Sequence, residues 1–238
     1  MKQRLDQKLV ADGLVSTRSQ AESYIKLGDV RVNGKVINKP GFAVAQTDKI
    51  ELTAAEQYVS RAALKLASVA EALGLDFRDK VVLDVGSSTG GFTDYALRHG
   101  AAAVIDVEAG KDQLHPSLHG HPAIELHEQT DIRDITELSR PVDIVVIDVS
   151  FVSLRDILPS VAKLVTGETQ IVAMVKPQFE ACDLVKHKGV IKNDKLRRDI
   201  LRQFEEWAKG WFIIMDKADS AVAGAKGNRE RFYMIKKA

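Results

Sequence analysis

The sequence predicts an α/β protein in which a mostly parallel, doubly wound sheet follows a small α+β unit. Three observations lead there. From about residue 80 onward, short apolar strands alternate with helical segments, the pattern of a parallel sheet with helices on both faces. The run Val81-Val82-Leu83-Asp84-Val85 leads through a glycine-rich loop into a helix. Before residue 60, two short helical patterns and an Asn-Gly hairpin form a separate unit. The length of 238 residues, 45% hydrophobic and 28% charged, suits one large or two unequal globular domains. The lone cysteine, Cys182, excludes an internal disulfide framework and suits a reducing, cytoplasmic setting. No apolar run of about 18 residues is present, and MKQRLDQK lacks the apolar core of an export signal. A secreted or membrane-spanning protein is not expected. The net charge of +1 does not decide the partner, and neither does its distribution. Nine basic and seven acidic residues lie in 1–59, against 25 and 26 in the rest.

In the first unit, Leu5, Leu9 and Val10 recur at helical spacing, and Asp12-Gly13 ends that helix. Thr17-Arg18-Ser19-Gln20 fits a capping box, with Thr17 accepting from the Gln20 N–H while Gln20 reaches back. Ala21, Tyr24, Ile25 and Leu27 form an apolar stripe closed by Gly28. Val30–Val32 and Lys35–Ile37 flank Asn33-Gly34, whose type I′ turn needs a positive φ twice. Lys49–Leu52 reads as one more strand, and a polar stretch, Ala54–Val59, puts the domain boundary between 59 and 60. Ser60 then caps a helix over Arg61–Leu73, ended by Gly74. Strands are expected at Lys80–Val85, Ala102–Val107, Ile124–His127, Val142–Val149, Thr169–Val175 and Trp211–Asp216. Helices fall between them at Thr93–His99, Leu154–Val165 and Leu196–Lys209, and Arg231–Ile235 reads as a final edge strand.

The loop Gly86-Ser87-Ser88-Thr89-Gly90-Gly91-Phe92-Thr93 is neither G-x-G-x-x-G nor a phosphate loop, whose lysine it lacks. Its glycines let the backbone approach a ligand closely at the carboxyl end of the first strand. Without the lysine it suits a ligand of little negative charge, such as S-adenosylmethionine, whose sulfonium is positive. Asp84 then favours the cationic end, and Asp106 after the second strand accepts from ribose hydroxyls. The same residues also fit a plain βα turn in which Asp84 caps the helix. Spacing alone does not separate the two.

Two further strands end on charges. Asp148 closes the apolar run Ile144–Ile147, and Lys176 closes Ile171–Val175, with Pro177 stopping the strand behind it. Adjacent strand ends bring such groups to the crevice where open sheets bind ligands, or simply pair them as a salt bridge. Lys65 lies among Leu64, Leu66 and Val69, and Glu230 follows Gly227-Asn228 before the last strand. Singly, each reads as an ordinary surface charge; together they make a site only by meeting in space.

At these positions the chain resembles the FtsJ-type ribose 2′-O-methyltransferases, whose site is a Lys–Asp–Lys–Glu tetrad. More narrowly it resembles the TlyA family of rRNA methyltransferases, also called hemolysins. Ser60-Arg61-Ala62-Ala63-Leu64-Lys65-Leu66, Asp84 to Thr93, Asp148 to Leu154, Lys176-Pro177-Gln178-Phe179-Glu180 and Gly227-Asn228-Arg229-Glu230 carry the likeness, in the family's order. It implies a Rossmann-like class I methyltransferase over 60–238, with Lys65, Asp148, Lys176 and Glu230 as catalytic residues. It also implies S-adenosylmethionine as cofactor, held by Asp84, Gly86, Ser87, Ser88, Gly90, Gly91, Phe92, Thr93, Asp106 and Asp131. Two stretches depart from the family. Glu108-Ala109-Gly110-Lys111-Asp112 stands where a shorter Gly-rich turn is usual, and Thr130-Asp131-Ile132-Arg133 where Thr-Asn-Ile-Arg is usual.

Residues 1–59 resemble the S4 type of small RNA-binding module, through Arg4-Leu5-Asp6, Arg18-Ser19-Gln20-Ala21 and Gly28 to Gly34. The resemblance implies that Arg4, Arg18, Lys26, Arg31 and Lys35 meet phosphates of structured ribosomal RNA. His115, His119, His121 and His127 lack the Cys or acid that would complete a ligand spacing, so no metal is expected. A ribose 2′-hydroxyl is a poor nucleophile, so the enzyme must align it with the methyl and take its proton. Lys176 is the expected activating residue. Lys65 supplies a like charge or stabilises the developing alkoxide, while Asp148 and Glu230 orient the lysines. Two other readings compete: an RNA-binding or ribosome-assembly factor with a degenerate pocket, and a membrane-active hemolysin. The expected partners are ribosomal RNA or ribosomal subunits, with no membrane and no obligate protein partner.

Overall fold

Thr17 opens the longer helix of the amino-terminal unit as its hydroxyl accepts the Gln20 N–H, and Gly28 closes it at φ 87°. The computed structural model describes residues 2–54, 57–181, 189–224 and 227–238; Cys182 and part of the 54–59 connection lie outside the described residues. The unit runs β1 (Lys2–Arg4), α1 (Leu5–Ala11), α2 (Arg18–Leu27), β2 (Val30–Val32), β3 (Lys35–Val36), β4 (Ala43–Ala45) and β5 (Ile50–Leu52). β3-β2-β5 form one antiparallel sheet and β1-β4 a two-stranded one. Asn33 and Gly34 both take positive φ, 50° and 78°, as the hairpin turn requires. Leu5, Leu9, Tyr24, Ile25 and Val30 are fully buried, so the stripe on α2 closes over α1 and the hairpin. The capping box is half realised. The Gln20 side chain accepts from the Ser16 N–H and donates to the Tyr58 carbonyl at 2.7 Å, instead of returning to Thr17.

The larger unit follows as α3 (Arg61–Ala70), β6 (Val81–Val85), α4 (Gly91–Arg98), β7 (Ala103–Glu108), β8 (Ile124–Glu128) and β9 (Ile144–Ile147). It ends with α5 (Leu154–Leu164), β10 (Gln170–Val175), α6 (Pro177–Glu180), α7 (Asp194–Ala208), β11 (Phe212–Asp219) and β12 (Arg231–Lys237). The sheet order is β11-β12-β10-β9-β6-β7-β8, parallel from β10 to β8. Alternation along the strands divides the core. Val82, Val104, Val146 and Val172 meet α3 and α4 on one face, while Leu83, Ile105, Val145 and Ile171 meet α5 and α7 on the other. Each fully buried aliphatic side chain is worth roughly 1.5–3 kcal/mol, so the strand tips above these layers are held on a rigid base.

Arg231–Ile235 is not an edge strand. β12 lies between β10 and β11, antiparallel to both, and its Phe232, Tyr233 and Ile235 are fully buried. The edge is β11, whose Ile213 and Met215 are exposed. α3 also stops at Ala70, and turn bonds from Leu73 and Leu75 carry the chain past Gly74. α4 starts at Gly91, two residues before the expected Thr93, because Asp84 supplies its cap from the strand below.

The two units meet through Tyr58. Its N–H reaches the Tyr24 hydroxyl, and its ring lies 5.6 Å from that of Tyr95 and 5.5 Å from the Arg98 guanidinium. Asp94 of α4 accepts the Val59 N–H at 2.8 Å. Among the described residues no helix is long and apolar enough to cross a membrane.

Candidate active site

β6 is flanked by β7 on one side and β9 on the other, so the strand order reverses there and opens a crevice at the carboxyl ends. The glycine loop fills its floor. Gly86 takes φ 80°, and a Cβ there would come within 3.0 Å of the Asp148 carbonyl oxygen. A Cβ on Gly91 would come within 2.3 Å of Ser60 Oγ, so glycine is also what seats α4 against the start of α3.

A cavity of about 590 Å³ lies above this loop, and all four expected catalytic residues line it. Lys65 Nζ stands 2.7 Å from Glu230 Oε2, and Lys176 Nζ 2.5 Å from Asp148 Oδ1. Lys176 also donates to Ser150 Oγ at 2.7 Å. Their side chains are between 3% and 13% exposed, so each cation is held by a carboxylate in a largely dry site. Four elements supply the four groups: α3, the tips of β9 and β10, and the turn into β12. Glu180 braces the arrangement, accepting from Ser153 Oγ and the Leu154 N–H at the start of α5. That ties the segment after Lys176 to the segment after Asp148.

A second cavity of about 530 Å³ shares Gly86, Ser88, Asp148, Ser150 and Phe151 with the first, and extends to Glu108 and Asp131. Of the residues expected to hold the cofactor, Gly86, Ser87, Ser88, Phe92 and Asp84 line the first cavity and Asp131 the second. Gly90, Gly91 and Thr93 line neither: Gly90 packs on Leu114 and Leu118, Gly91 on Ser60, and Thr93 is fully buried. Asp106 is also corrected. It is fully buried within β7, where its Oδ1 lies 2.6 Å from Thr93 Oγ1, out of reach of a ribose. The strand runs one residue beyond the expected Val107 and ends on Glu108, the acid that lines the crevice. Glu108 accepts the Ser88 N–H at 2.8 Å and the Gly110 N–H at 2.6 Å.

Asp84 caps the helix, one of the two readings the sequence left open, and also faces the cavity. Its Oδ2 caps α4 by accepting the Thr93 N–H and hydroxyl at 3.0 and 2.8 Å, and the residue lines the cavity. Asp84 Oδ1, Ser87 Oγ and Gln178 Oε1 are buried without a hydrogen-bond partner among the described residues. Unsatisfied oxygens around such a cavity fit a ligand that brings positive charge and donors, as S-adenosylmethionine does. Burial, and then the charge of Asp106, push Asp84 well above the usual carboxylate range; burial pushes Asp106 up to about 7.

Several residues at the cavity lay within the segments that carry the likeness but were given no site role. Phe151 is 89% exposed at φ 66°, with its ring 5.1 Å from that of Phe179, and Lys176 Nζ lies 5.9 Å over the Phe179 ring. Asn228 is buried and holds Gly189 and Ile191 beside Glu230. A lone exposed aromatic in a loop carries no periodic signal, whereas Glu108 was within reach as a strand-end acid.

In the amino-terminal unit, Lys26, Arg31 and Lys35 are exposed. Arg4 and Arg18 converge on the fully buried Asp6, at 2.8 and 2.7 Å, with their side chains half exposed. Among the described residues no three His, Cys, Asp or Glu stand together as a metal site.

The FtsJ-like methyltransferase family model matches residues 58–237, and the S4 domain model matches residues 3–50. A Mycobacterium tuberculosis relative named 16S/23S rRNA (cytidine-2′-O)-methyltransferase TlyA is 37% identical over 98% of this chain and 89% of its own. Hemolysin A of Brachyspira hyodysenteriae is 34% identical over 95% of this chain and 97% of its own. A solved structure from Streptococcus thermophilus, described as a hemolysin, superposes with a TM-score of 0.73 at 32% identity, covering 100% of this chain and 89% of that one. The crevice at the strand reversal, the two lysine–carboxylate pairs and these likenesses agree: the chain belongs to the TlyA family of FtsJ-like methyltransferases and carries an S4 domain ahead of the catalytic unit.

Proposed function

We propose that the protein transfers the methyl group of S-adenosylmethionine to a ribose 2′-hydroxyl of structured ribosomal RNA. The observation that carries this is the convergence of Lys65, Asp148, Lys176 and Glu230 in one cavity above the glycine loop. The mycobacterial relative is named for cytidine, and cytidine is the proposed target here. Such a substrate places the work in the cytoplasm.

Asp84, Ser87 and Ser88 would hold the cationic end of the cofactor, with Glu108 and Asp131 beside the adenosine. When bound, S-adenosylmethionine supplies a methyl already activated on a sulfonium. The chain must orient the hydroxyl and remove its proton as the C–O bond forms and the C–S bond breaks. Lys176 donates to Ser150 Oγ, and its Nζ stands 2.5 Å from Asp148 Oδ1, a carboxylate placed to take its proton. Passing that proton to Asp148 leaves an amine to receive the hydroxyl proton. Lys65, fixed by Glu230, remains an ammonium able to stabilise the developing alkoxide. The rings of Phe151 and Phe179 offer an apolar face to a base at the mouth. Lys26, Arg31 and Lys35, with the half-exposed Arg4 and Arg18, would grip phosphates.

The test is mass-spectrometric mapping of ribose methylation after incubation with unmodified ribosomal subunits. Methyl transfer to one or a few cytidine 2′-oxygens is expected. RNA binding without transfer would leave the non-catalytic assembly-factor reading in its place.

A further inference from the structure

We propose that Asp84 and Asp106 share one proton through Thr93 in the free protein, and release it when the cationic cofactor binds. Asp106 is then a positioning residue, acting on the cofactor through Asp84. The inference rests on the S-adenosylmethionine reading above and extends it to a proton that the reading does not require.

The argument starts from hydrogen counting. Asp84 on β6 and Asp106 on β7 are direct register partners, 1% and 0% exposed. Thr93 Oγ1 lies 2.8 Å from Asp84 Oδ2 and 2.6 Å from Asp106 Oδ1. A hydroxyl has one hydrogen and can donate to only one of them. Two ionised carboxylates would leave the other contact as two oxygens pressed together with no hydrogen between them. Asp84 Oδ2 also accepts the Thr93 N–H at 3.0 Å, which favours the charged form there. The consistent chain is therefore an Asp106 carboxylic acid donating to Thr93, and Thr93 donating to an Asp84 carboxylate.

The surroundings favour keeping that proton. No described cation forms an ion pair with either acid. On α3, Lys65 is held by Glu230 from the turn before β12; at the tip of β10, Lys176 is held by Asp148 from β9. Asp148 adds a further negative charge acting on Asp84. Glu108, at the tip of β7, is engaged by backbone N–H groups, and Asp94 on α4 by Arg98 and the Val59 N–H. Leu126 on β8 stands opposite Asp106. The pair thus has burial and like charge against it, and a cavity on the Asp84 side through which a cation can enter.

A cation beside Asp84 stabilises the fully ionised pair, so one proton leaves to the buffer and the pair goes from one negative charge to two. The sign of the linkage follows. While the pair holds its proton, binding must expel it, so affinity rises with pH; once the pH has passed the titration of the pair the proton is already gone and affinity levels off.

Titration calorimetry of the full-length protein with S-adenosylmethionine, at about pH 6 in buffers of different ionisation enthalpy, counts the protons released. Nearly one proton per cofactor is expected, with affinity rising up to about tenfold per pH unit toward neutrality. Asp106→Asn keeps the donor to Thr93 but has no proton to lose, so the release should vanish and the affinity lose this dependence on pH. Any proton carried by the cofactor itself is common to both proteins and cancels in their difference. Equal proton counts in the two proteins would overturn the inference while leaving cofactor binding intact. No binding by either protein would instead overturn the cofactor assignment on which it rests. If Asp106→Asn does not fold, an infrared difference spectrum of the wild type decides. Loss of a protonated-carboxyl band on cofactor binding is expected, and an unchanged carboxyl region would refute the shared proton.

Discussion

Two groups of acids stand within one crevice, and they are charged on opposite terms. Asp148 and Glu230 each face a lysine, at 2.5 and 2.7 Å. Asp84 and Asp106 face each other across one hydroxyl, with no described cation as partner. Asp148 is 13% exposed and the other three acids at most 3%, so burial separates the groups little; the main difference is which counter-charge the fold supplies and which it leaves for a ligand. The lysine pairs are complete before substrate arrives, and in the proposed reaction one of them, Lys176 with Asp148, would move a proton while the other stays charged. The aspartate pair is incomplete, and a cation from outside completes it.

The sharpest way to break this contrast is to remove a cation from the complete group. Lys176→Ala should lower methyl transfer by about 10²–10⁴-fold, the range of a lost proton-transfer group. Binding of RNA to the amino-terminal unit, measured by filter retention, should be nearly unchanged. Full activity in this variant would remove Lys176 from the chemistry.

Removing an acid should cost stability in the complete group and not in the incomplete one. Glu230→Gln strands the Lys65 ammonium in a site where its side chain is 7% exposed. The expected loss is about 3–5 kcal/mol in denaturant unfolding, the cost of breaking a buried pair from one side. A change below about 1 kcal/mol would mean that Lys65 finds water or another partner.

The contrast was only partly legible in the sequence. Strand-end position marked Asp148 and Lys176, whereas Lys65, on a helix, and Glu230, in a loop, became candidates only through the family resemblance; the strand alternation pointed to the crevice in which they meet. Asp106 was misplaced because the expected strand stopped at Val107, which put that acid at the tip; one more residue of pairing buries it and brings Glu108 to the crevice. Asp106 and Glu108 are two residues apart and share a face of the strand, so only their depth along it separates a core acid from a site acid, and a one-residue error in the strand end misjudges that depth. The edge assignment of Arg231–Ile235 failed for a related reason. Its apolar residues serve both faces of the sheet, which marks an inner strand, but its place last in the chain suggested an outer one.

pH dependence sharpens the comparison further. The folded-state value of Asp106 is about 7, above its ordinary 3.8, and Asp84 is raised as well. Stability from such groups is complete below the unfolded value and is lost as pH rises through the folded one. The wild type should therefore lose stability between about pH 4 and 7 through Asp106. Asp106→Asn should flatten that limb and gain on the order of 2 kcal/mol at about pH 8, read by thermal unfolding without cofactor. A variant less stable than the wild type at that pH would argue that the ionised pair is well accommodated.

Asp6 gives the opposite sign in the same molecule. Burial alone would raise it, but hydrogen bonds from Arg4 and Arg18, and then their charges, hold it below the usual carboxylate range. Stability from a lowered group is present above the unfolded value and is lost as pH falls through the folded one. Asp6→Asn should therefore lower the melting temperature at neutral pH and lose that difference in acid, where the wild-type carboxyl is also protonated. The guanidinium groups are half exposed, so water already screens much of this interaction, and a shift of about 2–4 °C is expected. Thermal scans of Asp6→Asn and Asp106→Asn across the same buffers should bend in opposite directions. Parallel curves would mean that the cations around a buried acid do not set its sign here, and the contrast between the two groups in the crevice would lose its physical basis.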